Sequence, residues 1–88
     1  MTINIKDLKN KIVYRANYRG TKEMDTLLGS FTRKYINECN NEELSLLSDL
    51  LNNDDENLYK LNQGLQPTIE IKNNRVTELF KTYKYVMD

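Results

Sequence analysis

The sequence has no histidine, one cysteine, one proline and three glycines in 88 residues, and its charges cancel. Each shortage removes a class of protein. Without imidazole the chain lacks the commonest general base near neutral pH and the commonest metal ligand. Cys39 alone can form neither an internal disulfide nor a zinc site, and with no imidazole to activate it, it reads as a plain helix-end residue. Scarce glycine and proline argue against a turn-rich sheet and for helices. Thirteen basic and thirteen acidic side chains give zero net charge, so the electrostatic footprint of a nucleic-acid binder is missing at whole-chain level. No apolar run is long enough to cross a bilayer. The segment Met1 to Asp7 has neither the apolar core of a signal peptide nor the Arg-rich, acid-free character of a presequence. The expected address is the bacterial cytoplasm, or the mitochondrial matrix for a chain whose presequence has been removed.

What the sequence does contain is helical periodicity. Ile5, Leu8, Ile12 and Ala16 step by three and four and predict an amphipathic helix from Lys6 to Tyr18. Gly20 ends it. A second helix is predicted from Thr21 to Glu38 on Met24, Leu27, Leu28, Phe31 and Tyr35, with Glu23 and Asp25 in the first turn, where the helix dipole favours acids. Gly29 lies mid-pattern and marks a close crossing or a kink. Asn40 and Glu43 have the spacing of a capping box and open a helix on Leu44, Leu47 and Leu51, widened by Leu46 and Leu50. The run Asn52-Asn53-Asp54-Asp55 ends that helix and caps a short fourth one, with Leu58, Leu61 and Tyr59 inward and Gly64 closing it. Asp54-Asp55-Glu56 has no EF-hand spacing, so it reads as a cap.

Pro67 is expected to fix the start of a last helix on Ile69, Val76, Leu79, Phe80 and Tyr83, interrupted by Asn73-Asn74, with Val86-Met87-Asp88 fraying. Short connections predict an antiparallel, all-α single compact bundle of about five short helices, one domain over residues 1–88. No glycine-rich phosphate loop is present. The tyrosines do not alternate with basic residues on a strand as a base-stacking platform would.

The most unusual stretch is Arg19-Gly20-x-x-Glu23. Read plainly, it is a helix junction with one solvated charge and one first-turn acid. Read as a recognition patch, the glycine admits a partner's backbone while an arginine fork and a carboxylate fix its orientation. One position can do both.

The ordered set Arg19-Gly20-x-x-Glu23-x-Asp25-x-x-Leu28-Gly29-x-Phe31, then Asn40-Asn41-Glu42-Glu43-Leu44, then Leu50-Leu51-x-x-Asp54-Asp55-x-x-Leu58, resembles the succinate dehydrogenase FAD assembly factor family between Tyr14 and Leu61. The resemblance implies a five-helix domain that binds the flavoprotein subunit of succinate dehydrogenase, or of fumarate reductase, and promotes covalent attachment of FAD to a histidine of that subunit. It implies partner contacts at Arg19, Gly20, Glu23 and Asp25, no catalytic or metal-binding residue, and no tightly held cofactor, since FAD is attached on the partner. The chain departs from the family pattern in having Tyr18 where many relatives carry a second basic residue, and Glu56 and Leu61 where they carry proline and tryptophan. Tyr59 then stands in for an aromatic contact on the fourth helix. A monomer when free is expected, with no membrane insertion and no nucleic acid. The alternative is a small antitoxin-like helical regulator of another protein or of nucleic acid.

Overall fold

The computed structural model describes residues 4–84, so the fraying expected of Val86, Met87 and Asp88 falls outside the described residues. The Asn4 side chain accepts from the backbone N–H groups of Lys6 and Asp7 at 3.0 and 3.3 Å, and this cap opens α1, Ile5–Asn17. Thr21 caps α2, Lys22–Tyr35. The end of the expected second helix, Ile36–Glu38, tightens into a 3-10 turn. The capping box of Asn40 and Glu43 forms as the sequence spells it and starts α3, Asn41–Leu50. Asp54 caps α4, Asp55–Gln63, which stops at Gly64 with φ +76°. There the Leu65 N–H reaches back to the Lys60 carbonyl at 2.8 Å, a Schellman-type ending that needs a left-handed residue. The described residues hold five α-helices and no strand, so the all-α expectation stands. None of these helices is long and apolar enough to cross a membrane.

The last helix is shorter than its apolar pattern suggests. The chain stays irregular over residues 65–73, and α5 is Arg75–Thr82. Buried Asn57 accepts from the Thr68 N–H at 2.7 Å and from its hydroxyl at 3.0 Å, tying this stretch to α4. The cap comes from Asn74: its side chain accepts from the Thr77 N–H at 3.0 Å, and the Thr77 hydroxyl accepts from the Asn74 N–H at 2.8 Å. Asn73-Asn74 is therefore a helix boundary, and Pro67 is not one. Ile69, expected on the buried stripe, is 48% exposed.

The core gathers Ile12 and Ala16 of α1, Met24, Leu28 and Phe31 of α2, Ile36 of the 3-10 turn, Leu44, Leu47 and Leu50 of α3, Leu51 just after it, Leu58 and Leu61 of α4, and Val76 and Phe80 of α5. Full burial of each large apolar side chain is worth roughly 1.5–3 kcal/mol. Phe31 sits at an aromatic junction, with ring centroids 5.1 Å from Phe80 and from Tyr35 and 5.4 Å from Tyr83. The Tyr83 hydroxyl adds a 2.8 Å bond to Ser30.

Helices α1 and α2 run antiparallel: Lys9 reaches Asn37, while Asn17 reaches Arg33. Gly29 marks the close crossing between them, because a Cβ there would run into the Asn17 Oδ1 that accepts from Arg33 at 2.8 Å. The simple antiparallel expectation does not extend to α4 and α5. The irregular connection lets them meet at their C-terminal ends, where the buried Asn62 Nδ2 donates to the Phe80 and Tyr83 carbonyls at 2.9 Å each.

Asn62→Ala should lower stability by about 1–3 kcal/mol by removing the donor to carbonyls at the buried end of α5. The loss would be read as a lower urea midpoint at unchanged slope. A second prediction concerns acid. The Glu43 carboxyl, paired with Arg75, lies below its ordinary value of 4.5 because Arg75 donates to it and, after that, because the Asn40 backbone does. A carboxyl lowered on folding stabilises above its unfolded pKa and loses that contribution as pH falls through the folded one. Glu43→Gln should therefore flatten the acid limb of melting temperature against pH below 4.5, and an unaltered limb would refute the pairing as its source.

Candidate functional site

The turn between α1 and α2 is built from the backbone outward. Tyr18 is the last residue of α1's cap, Gly20 follows with φ +116°, and Thr21 starts α2 by accepting from the Met24 N–H at 3.3 Å. Such a φ is strained for any residue with a Cβ, which is why glycine stands here. Asp25 turns back from the first turn of α2 and accepts through one carboxylate oxygen from the Arg19 N–H and, at 3.3 Å, from the Gly20 N–H. Two donors that neither helix can satisfy are thereby paired.

Arg19 does not stand in solvent. Its guanidinium lies under the connection between α3 and α4, donating at 2.6 Å to the Leu51 carbonyl, at 2.6 Å to the Asn53 carbonyl and at 2.9 Å to Asp55. The side chain is 12% exposed and that of Asp55 is 30%. One helical turn earlier, Arg15 donates to the Ser48 hydroxyl at 2.9 Å, to the Ser48 carbonyl and to Asn52. The two cations meet the carbonyl end of α3, where its dipole is negative, and Arg19 also meets an acid in the first turn of α4. Only a planar fork can serve three acceptors in these directions at once.

These positions correct the expectation of a solvated arginine flanked by two free acids. Arg19 and Asp25 are engaged within the fold. Gly20 and Glu23 remain exposed, and a Cβ added at Gly20 would meet nothing within 4 Å. Among the described residues Glu23 has no ion pair or side-chain hydrogen bond. Tyr59, expected to point inward, is 52% exposed on α4, on the same face as Asp55 one turn before it. Arg19, Gly20, Asp25 and Asp55 thus form one hydrogen-bonded corner, with Glu23 on its outer side and Tyr59 on the neighbouring helix.

Sequence reasoning missed Arg15 and the carbonyls that receive both arginines. The four-residue spacing of Arg15 and Arg19 was the available signal. It noted Tyr18 only as a departure from the family pattern and gave Tyr14 no role, yet the two are 68% and 64% exposed. Cys39 is a helix-end residue as expected, its Sγ donating to the Tyr35 carbonyl at 3.3 Å. Burial first and Glu43 second push its thiol up, away from the thiolate that nucleophilic chemistry requires. No group of three or more metal-ligating side chains occurs among the described residues. The corner offers no acid, base or nucleophile aimed into a cleft. It can hold a rigid shape and present backbone, one carboxylate and aromatic surface to another molecule.

Residues 10–84 match the family described as flavinator of succinate dehydrogenase. A mitochondrial succinate dehydrogenase assembly factor 2-B of Drosophila mojavensis is 30% identical over 77 residues, which cover 85% of this chain and 49% of that protein. The mitochondrial succinate dehydrogenase assembly factor 2 of Drosophila grimshawi is 29% identical over 77 residues, 85% of this chain and 52% of its own. The protein of the same name in Saccharomyces cerevisiae strain YJM789 is 39% identical over 49 residues, 56% of this chain and 30% of its own. The chain spans about half the length of the two fly relatives. No solved structure matches it.

Arg19→Lys keeps the charge but cannot reproduce the three bonds, and should cost roughly 1–3 kcal/mol of stability. In a double-mutant cycle, Arg19→Lys and Asp55→Asn should couple, the pair costing less than the sum of the single losses. Strict additivity would show that the ion pair carries none of the effect.

Proposed function

Because the chain belongs to the family of succinate dehydrogenase flavinators, we propose that it is an assembly factor that binds the flavoprotein subunit of succinate dehydrogenase, or of fumarate reductase, and promotes covalent attachment of FAD to that subunit. The observation that carries this reading is the combination at the first interhelical corner: Gly20 and Glu23 exposed on a turn whose backbone is held by Asp25 and whose base is held by Arg19. A surface so fixed binds without first losing conformational freedom.

In this reading FAD belongs to the partner, and the histidine that receives it is the partner's. The chain contributes binding free energy and no reacting group. Docking favours the flavoprotein conformation in which that histidine meets the flavin. The size of such an effect follows from linkage: a factor at one hundred times its dissociation constant stabilises the bound conformation by about 2.7 kcal/mol, enough to raise a state populated at about 1% to about half. The flavoprotein's compartment is also the factor's, which is the cytoplasm in a bacterium and the mitochondrial matrix in a eukaryote.

The test mixes the chain with the apo-flavoprotein subunit and FAD and follows covalent flavin fluorescence in a denaturing gel. The native chain should raise the yield or rate of attachment. Glu23→Gln, whose carboxylate makes no ion pair or side-chain hydrogen bond among the described residues, should change the melting temperature little, since only its interaction with the helix dipole is lost, and should lose part of the stimulation. Gly20→Arg, which fills the open space over the turn, should abolish it. Attachment that proceeds equally well with and without the native chain would dispose of the proposal.

A further inference from the structure

We propose that Tyr14 and Tyr18 form a stacked aromatic anchor by which the chain grips the flavoprotein subunit, seated in an apolar recess of that partner whose rim bonds the two phenol hydroxyls. This rests on the assembly-factor reading above and adds a second contact to its corner.

Among the described residues the two rings are the most exposed of the large hydrophobic side chains, at 64% and 68%. They lie against each other, centroids 4.6 Å apart with planes 35° from parallel. Neither belongs to the core or to the half-buried layer packed on it, so the fold itself does not require a ring at either position. Exposed apolar side chains scattered singly need no explanation, whereas a contiguous pair of large rings marks a contact surface. Tyrosine is also the residue type that most often carries interface free energy, because it brings a large apolar area and a polar tip at the cost of only two torsions. Stacking restricts those torsions further before any partner arrives.

Position identifies the occupant. Each ring directly precedes one of the arginines that lock α1 to the end of α3, Tyr14 before Arg15 and Tyr18 before Arg19. Tyr14 lies within α1, where a step of one residue turns the side chain by about 100°, and Tyr18 is the residue that ends that helix, so each ring sits beside an arginine that closes the seam. Tyr18 is two residues from Gly20 and caps the same helix. A surface that closes over Gly20 and Glu23 therefore continues onto the rings. Overall charge also selects against a nucleic acid, because the chain as a whole carries no net positive charge to meet phosphates, and the two arginines beside the rings are engaged with α3 and α4.

The experiment measures binding of the native chain, Tyr14→Ala, Tyr18→Ala, the double alanine variant and the double phenylalanine variant to the apo-flavoprotein subunit, together with flavin attachment and melting temperature. Each single alanine variant should weaken binding about tenfold with an unchanged melting temperature, as expected for an interface anchor. The double variant should lose less than the product of the two, because the rings act together. The phenylalanine pair should retain most of the affinity. If the native chain neither binds the flavoprotein nor stimulates attachment, the assembly-factor reading fails and takes the anchor with it. If the native chain does both and the alanine variants match it, the anchor alone is overturned. Salt-dependent binding of a single-stranded oligonucleotide lost in the alanine variants would overturn it as well, as would a tyrosine-dependent dimer seen in sedimentation.

Discussion

The structure depends on one guanidinium. Arg19 leaves the end of α1 and bonds two carbonyls of the α3–α4 connection and the first acid of α4, joining three helices at the rim of the core that Leu50 and Leu51 help to fill. Helix ends carry carbonyls without intrahelical partners, and here those of α3 are answered by side chains of another helix. Arg15 repeats the contact one turn earlier. Bonds of this kind are individually modest in net free energy, but they are costly to leave unmade once the groups are shielded from water. The corner where Gly20 and Glu23 face solvent is rigid for this reason.

Charge and conformation divide the labour at that corner. The acids and bases that an exposed reading would offer to a partner are partly turned inward: Asp25 secures the turn's backbone and Arg19 secures its base. What remains outward is a glycine over open space, the exposed Lys22 and Glu23 with their opposite charges, and a pair of tyrosine rings tilted against each other. A surface of this kind suits recognition by shape complementarity and apolar contact more than by dense charge.

Much of the fold was legible because its signals are local. Asn40 with Glu43, Asp54 and Gly64 each act within a few residues of themselves, and each does what its position suggests. The apolar steps of α1 to α4 likewise find the core. The last helix was misjudged because Pro67 is compatible with a helix start while Asn57, eleven residues away from Thr68, holds the segment outside one. A side chain reaching across the fold leaves no trace in local periodicity. The same holds for Arg19: the sequence marks it as important, but its acceptors lie more than thirty residues downstream, so whether it faces inward or outward could only be seen in three dimensions.

That separation along the chain sets an order of assembly. The α1–α2 hairpin closes over a short loop and can form early, whereas the bonds from Arg19 to Leu51, Asn53 and Asp55 wait until the second half of the molecule has organised, since distant contacts bear the larger entropy of loop closure. Copies that have the hairpin but lack α3 and α4 would keep the bonds from the turn's backbone to Asp25 and lose the anchorage that Arg19 gives its base. The finished form of that corner is thus coupled to completion of the second half of the chain, through the wiring of a single side chain.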